Sequence, residues 1–443
     1  MLRLRLGKKR RIVTHGRERL LVCMLPLYNV LIYLASPVAL LANVWRGRRD
    51  PSYRDRLGER FGFTRVRFDR APLWVHAVSV GEVQAGAVLI RSLRQRYPDR
   101  PVLVTTGTPT GAQRVKALFG DTVSHAYLPY DTPDAVQRFL ERVRPQIAIV
   151  METEIWPNLF RGCRKRGIPI VIASARLSEK SVRRYSRLRR LAREALDGVV
   201  VAAQTLLDAE RFRAIGAARV EVIGNLKFDM EVGEDVARAG RELRAAQIGP
   251  RPVWLAASTH EGEEDQMLAA HEVVRARIPR ALLLLVPRHP QRFTAVASLL
   301  SGRGVRYVAR SRGESVSDTA EVLLVDTLGE LQMLYAAADA AFVAGSFAPI
   351  GGHNLLEPAA LGCPIVVGPH NFNAPDIAAL FLSRGAAVQV ENATALGATI
   401  AGLMADPSRR EEMAKRAREI LEQNRGALKG LLAMIDERLA KHA

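Results

Sequence analysis

Cysteine is scarce: the 443-residue chain has three, Cys23, Cys163 and Cys363, far apart and without C-x-x-C spacing. That excludes a disulfide framework or a cysteine-rich zinc module and fits a reducing compartment. A P-loop, a G-x-S-x-G elbow, a G-x-G-x-x-G fingerprint and any DNA-reading motif are all missing, so the commonest nucleotide-hydrolysing, esterase and dinucleotide-binding classes have no support. His260-Glu261 is not followed by a second histidine at zincin spacing. Low-complexity segments and short repeats are absent too. Acidic residues are outnumbered, 45 against 65 Lys and Arg, for a net charge of +20 and a pI near 10.6. A field of that sign favours polyanionic partners, whether nucleic acid, anionic lipid or phosphorylated substrate, and by itself does not choose among them.

Charge is also missing locally. From Leu20 to Trp45 no residue is charged, while Lys8, Lys9, Arg10 and Arg11 precede the run and Arg46, Arg48 and Arg49 follow it. The length suffices to cross a bilayer, which needs about 20 apolar residues. A cleavable signal fits poorly, because the apolar region is long and no A-x-A-like site follows. Pro26 and Pro37 are expected to interrupt the helix. Asn29, Ser36 and Asn43 recur every seven residues, with Tyr33 four after Asn29, which draws a thin polar stripe along one face. An interfacial or re-entrant anchor is the favoured reading; a transmembrane helix and a soluble core helix are the alternatives.

At roughly 100–200 residues per domain, the length suggests two or three domains. Short apolar runs alternate with amphipathic segments: 72–78, 102–108, 125–129, 147–152, 168–175 and 199–203, then, after a polar, helix-prone link at 230–250, 252–259, 282–289, 322–327, 340–346 and 364–369. This is the pattern of βαβ units on parallel sheets. The expected organisation is a basic extension and anchor (1–47), a first Rossmann-like lobe (48–232) and a second (250–443) ending in helices with an interlobe cleft. Ligands bind outside the carboxyl ends of strands in such lobes.

Six motifs fall where strands are expected to end. In WVHAVSVGEV (74–83), Glu82 opens a helix, where the dipole should keep it ionised and suited to general-base work. In METEIWPNL (151–159), Glu152 and Glu154 sit among apolar residues, costly unless paired or functional. VIGNLKFD (222–229) offers Lys227 to an anionic ligand, with a solvated linker lysine as the plain alternative. ASTHEGEE (257–264) places His260 before a helix whose N-terminal N–H groups can take an anion. VPRHPQRF (286–293) supplies Arg288, whose fork suits phosphate or carboxylate. The strongest is AGSFAPIGGHNLLEPAALGCPIVVGP (344–369). There Gly351 and Gly352 should permit close backbone approach to a ligand. Asn354 precedes a helix carrying Glu357 within reach of a ribose diol. A nucleotide-sugar site is the expectation for this segment.

The order and wording of these motifs resemble one family, the 3-deoxy-D-manno-octulosonic acid (Kdo) transferases of GT-B fold. The resemblance runs from about Leu20 onward through RGRRDPSYRDRLGERFG, SVGEV, TPTGAQR, YLPYD, ETEIWPN, ARLS, GNLKFD, STHEGEE, PRHPQRF, DTLGELQMLY and GGHNLLEP. Residues 1–19 depart from it as a basic extension. The resemblance implies an inverting transfer of Kdo from CMP-Kdo to a lipid A precursor (lipid IVA), on the cytoplasmic face of the inner membrane, without cofactor, metal or nucleic acid. Glu82 would be the general base and Glu154 a second essential carboxylate. Arg288, Ser346, Gly351, Gly352, Asn354 and Glu357 would hold the donor, with Lys227 and His260 as further candidates. Two rivals remain open at this point: a GT-B transferase or epimerase using a UDP-sugar, and a non-catalytic basic protein binding anionic lipid or nucleic acid.

Overall fold

A computed structural model describes residues 24–441 and divides them into two compact units, residues up to 229 with 425 onward, and residues 230–424. Leu20–Cys23 of the apolar run and the extension 1–19 lie outside the described residues.

The first unit is built on a seven-stranded parallel sheet in the order β3-β2-β1-β4-β5-β6-β7. Its strands are β1 Leu73–His76, β2 Val102–Thr106, β3 Ser124–Tyr127, β4 Ile147–Met151, β5 Ile170–Ala175, β6 Val200–Ala203 and β7 Arg219–Val222. Leu73, Val75, Ile147 and Ile149 face one apolar layer while Trp74, Ala148 and Val150 face the other, so the central strands are apolar along their whole length. The second unit repeats the arrangement: β10-β11-β9-β8-β12-β13-β14, with β8 Val253–Thr259, β9 Leu282–Pro287, β10 Tyr307–Ala309, β11 Val322–Leu324, β12 Ala340–Val343, β13 Ile365–Val367 and β14 Ala387–Gln389. The chain crosses from one half of the sheet to the other between β1 and β4 in the first unit and between β8 and β12 in the second, where β10 and β11 are also exchanged at one edge. These crossings are the switch points at which Rossmann-like sheets bind ligands.

Two boundaries differ from expectation. The link at 230–250 is part of the second unit. Its helix Glu234–Leu243 crosses helix Leu331–Ala337 so closely that a Cβ on Gly240 would lie 2.4 Å from the Met333 carbonyl oxygen. Residues 425–443, counted above with the second lobe, belong to the first. Helix Ala427–Lys441 buries Leu431, Met434, Ile435 and Leu439 against the layer that holds Leu73 and Val75. Asp229 caps that helix by accepting from the Gly426 and Leu428 N–H groups at 2.7 and 2.9 Å.

The N-terminal helix Met24–Arg46 is one continuous element, not the interrupted one that two prolines implied. Pro26 sits in the first turn, where no intrahelical donor is needed. Pro37 cannot donate to the Tyr33 carbonyl, and the Ser36 hydroxyl does so instead at 3.0 Å. The polar stripe turns inward. Tyr28 donates to Asp131 at 2.8 Å, Tyr33 to Asp134 at 2.7 Å, Asn158 to Asn29 at 2.8 Å and Asn43 to Tyr130 at 3.2 Å. The opposite side, with Leu31, Leu34, Val38 and Leu41, is 57–68% exposed. Among the described residues this is the one helix long and apolar enough to cross a membrane.

Candidate active site

The switch point of the first sheet is lined by carboxylates. Beyond β1, Ser79 caps helix Val80–Arg96. Glu82, three residues on, accepts from the Val78 N–H at 2.8 Å and the Ser79 hydroxyl at 3.2 Å. This is a capping box reaching one residue further back than usual. Beyond β4, Glu152 adopts a left-handed backbone (φ +57°), a conformation disfavoured for a residue with a Cβ. The turn carries Glu154 two residues on, before helix Pro157–Lys165 begins. Glu82 is pushed up to about 7, chiefly by burial, with Glu152 and Glu154 adding to it against the Val78 hydrogen bond. The expectation that the helix dipole keeps Glu82 firmly ionised is therefore corrected: desolvation outweighs it, and near neutral pH the carboxyl exchanges its proton readily. Burial also raises Glu154, and the Trp156 indole and Arg184 guanidinium oppose that shift. The arrangement supplies a proton acceptor tuned to neutrality beside two further carboxylates.

Other conspicuous motif residues of this unit are structural. Glu59 accepts from the Tyr127 N–H at 2.8 Å, and buried Arg60 donates to the Gly107 carbonyl at 2.7 Å while lying over the Tyr127 ring. Asp131 caps helix Pro157–Lys165 through the N–H groups of Asn158 and Leu159, and burial lifts its carboxyl to about 6. Lys227 lies in the short turn Leu226–Asp229 of the first unit, whereas the other donor candidates all lie in the second.

In the second unit, β8, β9 and β12 bring His260, Arg288 and the 345–354 loop to one edge of the sheet. Glu263, fully buried, organises that edge. One carboxylate oxygen accepts from the N–H groups of His260 (3.0 Å) and Gly345 (2.9 Å), the other from those of Phe347 (3.0 Å) and Ala348 (3.1 Å). Sequence reasoning passed over this role, although a carboxylate in a first turn after Ser-Thr-His was its visible trace. Helix Glu263–Arg277 opens with Glu263, Glu264 and Asp265, so its N-terminus is already negative and does not suit the anion expected there.

Ser346 is buried with its hydroxyl committed, donating to the Val343 carbonyl at 2.6 Å and accepting from the Gly368 N–H at 2.8 Å; it presents no hydroxyl to a ligand. Gly351 and Gly352 do have positive φ, +106° and +75°, but what approaches them is protein. Asn373 and Asn371 lie 2.7 and 2.8 Å from where a Cβ would stand, and both glycine N–H groups point to the Gly345 carbonyl. Asn354 donates to Glu357 at 3.2 Å and accepts from the Leu356 N–H at 3.1 Å, holding Glu357 at the start of helix Leu356–Ala360. Arg288 is exposed and forms no ion pair among the described residues. No group of three or more His, Cys, Asp or Glu side chains placed to hold a metal occurs among the described residues.

Residues 55–230 match the family described as 3-deoxy-D-manno-octulosonic-acid transferase (kdotransferase), and residues 261–420 match glycosyl transferases group 1. A 3-deoxy-D-manno-octulosonic acid transferase of Haemophilus influenzae is 39% identical, covering 94% of this chain and 99% of its own. One from Bordetella pertussis is 42% identical, covering 83% and 87% respectively. Among solved structures, a glycosyltransferase from Rickettsia africae aligns with a TM-score of 0.54 at 12% identity, covering 84% of this chain and 99% of that one. At that identity the likeness is one of fold, two Rossmann-like units of GT-B type.

Proposed function

From the premise that the chain belongs to the 3-deoxy-D-manno-octulosonic acid transferases, and is a glycosyltransferase moving Kdo, we propose that it takes Kdo from CMP-Kdo and gives it to a hydroxyl of a lipid A precursor, lipid IVA, with inversion. The observation that carries the reading is Glu82, a carboxyl brought to about 7 beside Glu152 and Glu154 at a switch point. Glu82 removes the acceptor hydroxyl proton while that oxygen bonds to the anomeric carbon. The carbon–oxygen bond to the phosphate breaks, and its electron pair leaves with CMP. Glu154 holds the acceptor. In the second unit Arg288 holds charge on the donor, and Glu357, steadied by Asn354, holds its ribose. The leaving group is a nucleoside monophosphate, so the reaction needs no metal ion to bridge two phosphates. Mass spectrometry of the product from purified lipid precursor tests the reading: mass gain with CMP-Kdo is expected, and gain only with UDP-sugars overturns it.

Arg288→Ala is expected to weaken CMP binding by about ten- to a hundredfold, the worth of a hydrogen bond to a charged group. Titration of CMP into the folded variant measures this, and parental affinity would remove Arg288 from the site.

The enzyme works at the cytoplasmic face of the inner membrane, held by helix Met24–Arg46 lying in the interface. Its polar stripe is hydrogen-bonded to the first unit and its apolar side is open. A full crossing would strip those bonds in hydrocarbon. Exposed Arg183, Arg187, Arg189, Arg190 and Arg193 add attraction to anionic lipid, about 1 kcal/mol for each that reaches the surface. Replacing Leu34, Val38 and Leu41 together by Asp should lower partition into anionic vesicles at least about 100-fold, given about 1.5–3 kcal/mol per apolar side chain immersed. Undiminished flotation with the vesicles would refute the interfacial helix.

A further inference from the structure

Three imidazoles converge at the carboxyl edge of the second sheet. His260 follows β8, His289 follows β9 and His353 follows Gly352. The rings of His260 and His353 lie nearly parallel, 9° apart with centroids at 5.1 Å, and the His289 ring stands edge-on to His260 at 5.4 Å. The Nε2 atoms of His260 and His353 are 2.9 Å apart. Of two ring nitrogens at that distance one carries the hydrogen and the other the lone pair, so the pair shares a single proton.

Its direction is set by the backbone. The β8–β9 register shifts between Ala257 and Thr259, and the intervening Ser258 has φ +62°. Such bulges re-aim groups at the ends of strands. Here the Ser258 backbone favours a protonated nitrogen on the His353 ring. Assigning that hydrogen to Nδ1 makes the His353 Nε2 the acceptor and His260 the donor. The Nδ1 of His260 then holds the lone pair, open to a second proton.

The groups facing this pair are Glu263, Arg288, His289 and Arg292. Glu263 opposes, but its charge is engaged by four backbone N–H groups, and Arg292 is paired with buried Glu264 at 3.1 Å. Burial foremost, then His260, Arg288 and His289, push His353 down to about 4. Burial also lowers His260, with His289, Arg288 and Arg292 adding to it and Glu263 opposing. Both shifts favour the neutral ring in the free protein. An arriving phosphate reverses that balance at the more exposed ring.

We propose that His260 takes up a proton when the phosphate-bearing nucleotide binds the second unit, forming an imidazolium beside Arg288 that is discharged on release, with His353 as its positioning residue. This rests on the nucleotide reading of that unit. It makes donor affinity depend on pH through an identified atom, His260 Nδ1.

Titration calorimetry of CMP with the full-length enzyme in detergent micelles at pH 7.5, in two buffers of different ionisation enthalpy, tests it. The parent should take up part of a proton per CMP bound, and His260→Gln should lose that share. The nucleotide's own phosphate contributes equally to both and cancels in the difference. Across pH 7–9, CMP affinity of the parent should fall by up to about tenfold per pH unit, the slope of one linked proton, and that of His260→Gln should fall less. His353→Gln, whose side-chain oxygen still accepts from His260, should retain uptake; His353→Leu should not. Buffer-independent enthalpy in the parent, or undiminished uptake in His260→Gln, overturns the proposal. Absence of CMP binding at every pH would overturn the nucleotide reading itself, and the proposal with it.

Discussion

Glu82→Gln is expected to lower transfer by about 10²–10⁴-fold, the usual worth of a general base, while leaving CMP binding unchanged. Glutamine still accepts from the Val78 N–H through its amide oxygen, so the helix cap survives and the loss is chemical. The parent's pH profile carries the same signature. A base must be unprotonated to act, and burial with Glu152 and Glu154 sets this one at about 7. Activity should therefore rise with pH through that value and level off above it. Glu152→Gln removes one of the charges that raise it, so the rising limb should move to lower pH. Turnover of Glu82→Gln at the parental rate, or a limb unmoved by Glu152→Gln, would take the base away from this carboxyl.

Glu263→Ala should produce the largest loss of stability. The change leaves the N–H groups of His260, Gly345, Phe347 and Ala348 without their carboxylate. A buried donor left without a partner costs about 1–3 kcal/mol. Water entering the emptied space recovers part of that, so a net loss on the order of 4 kcal/mol is expected. Amide exchange at 345–348 should accelerate in step, and CMP binding should be lost with the loop. Glu263→Gln should fall between, because its amide group offers one accepting oxygen where the carboxylate has two. Denaturant unfolding of the folded variants provides the comparison; a change below about 1 kcal/mol would mean that the loop is held by other contacts.

The strands legible in the sequence are those buried on both faces. LLLLV before Arg288 and IAIVM before Glu152 announce themselves as continuous apolar runs. The three strands outside the apolar runs, β7, β10 and β14, are three or four residues long, partly exposed and at sheet edges. An edge strand pairs on one side only and needs little apolar surface, which leaves no pattern to read. Strand-end motifs singled out Glu82, Glu154, His260 and Arg288, because chemistry-bearing residues stand out after apolar runs, and each follows a strand in the fold. The pattern could not say what each group touches. Ser346 is consumed inside the fold, Gly351 and Gly352 make room for asparagines of the same chain, and Glu263 looked like one acidic residue among three. Partnership depends on contacts distant in sequence, Glu263 with Gly345 among them, and a linear motif is silent about those.

The return of residues 425–441 to the first sheet has a consequence for how the polypeptide acquires its structure during synthesis. Residues 230–424 form one uninterrupted stretch, so their sheet has all of its chain as soon as that stretch leaves the ribosome. The earlier-made unit has to wait. Until Leu431, Met434, Ile435 and Leu439 arrive, the layer that holds Leu73, Val75 and Leu226 lacks part of its cover, and the apolar surface under that helix is open to solvent. The usual vectorial order, in which the N-terminal domain finishes first, is thereby inverted for the final packing step. The interval in which the nascent chain is most prone to aggregate spans the translation of the whole second unit.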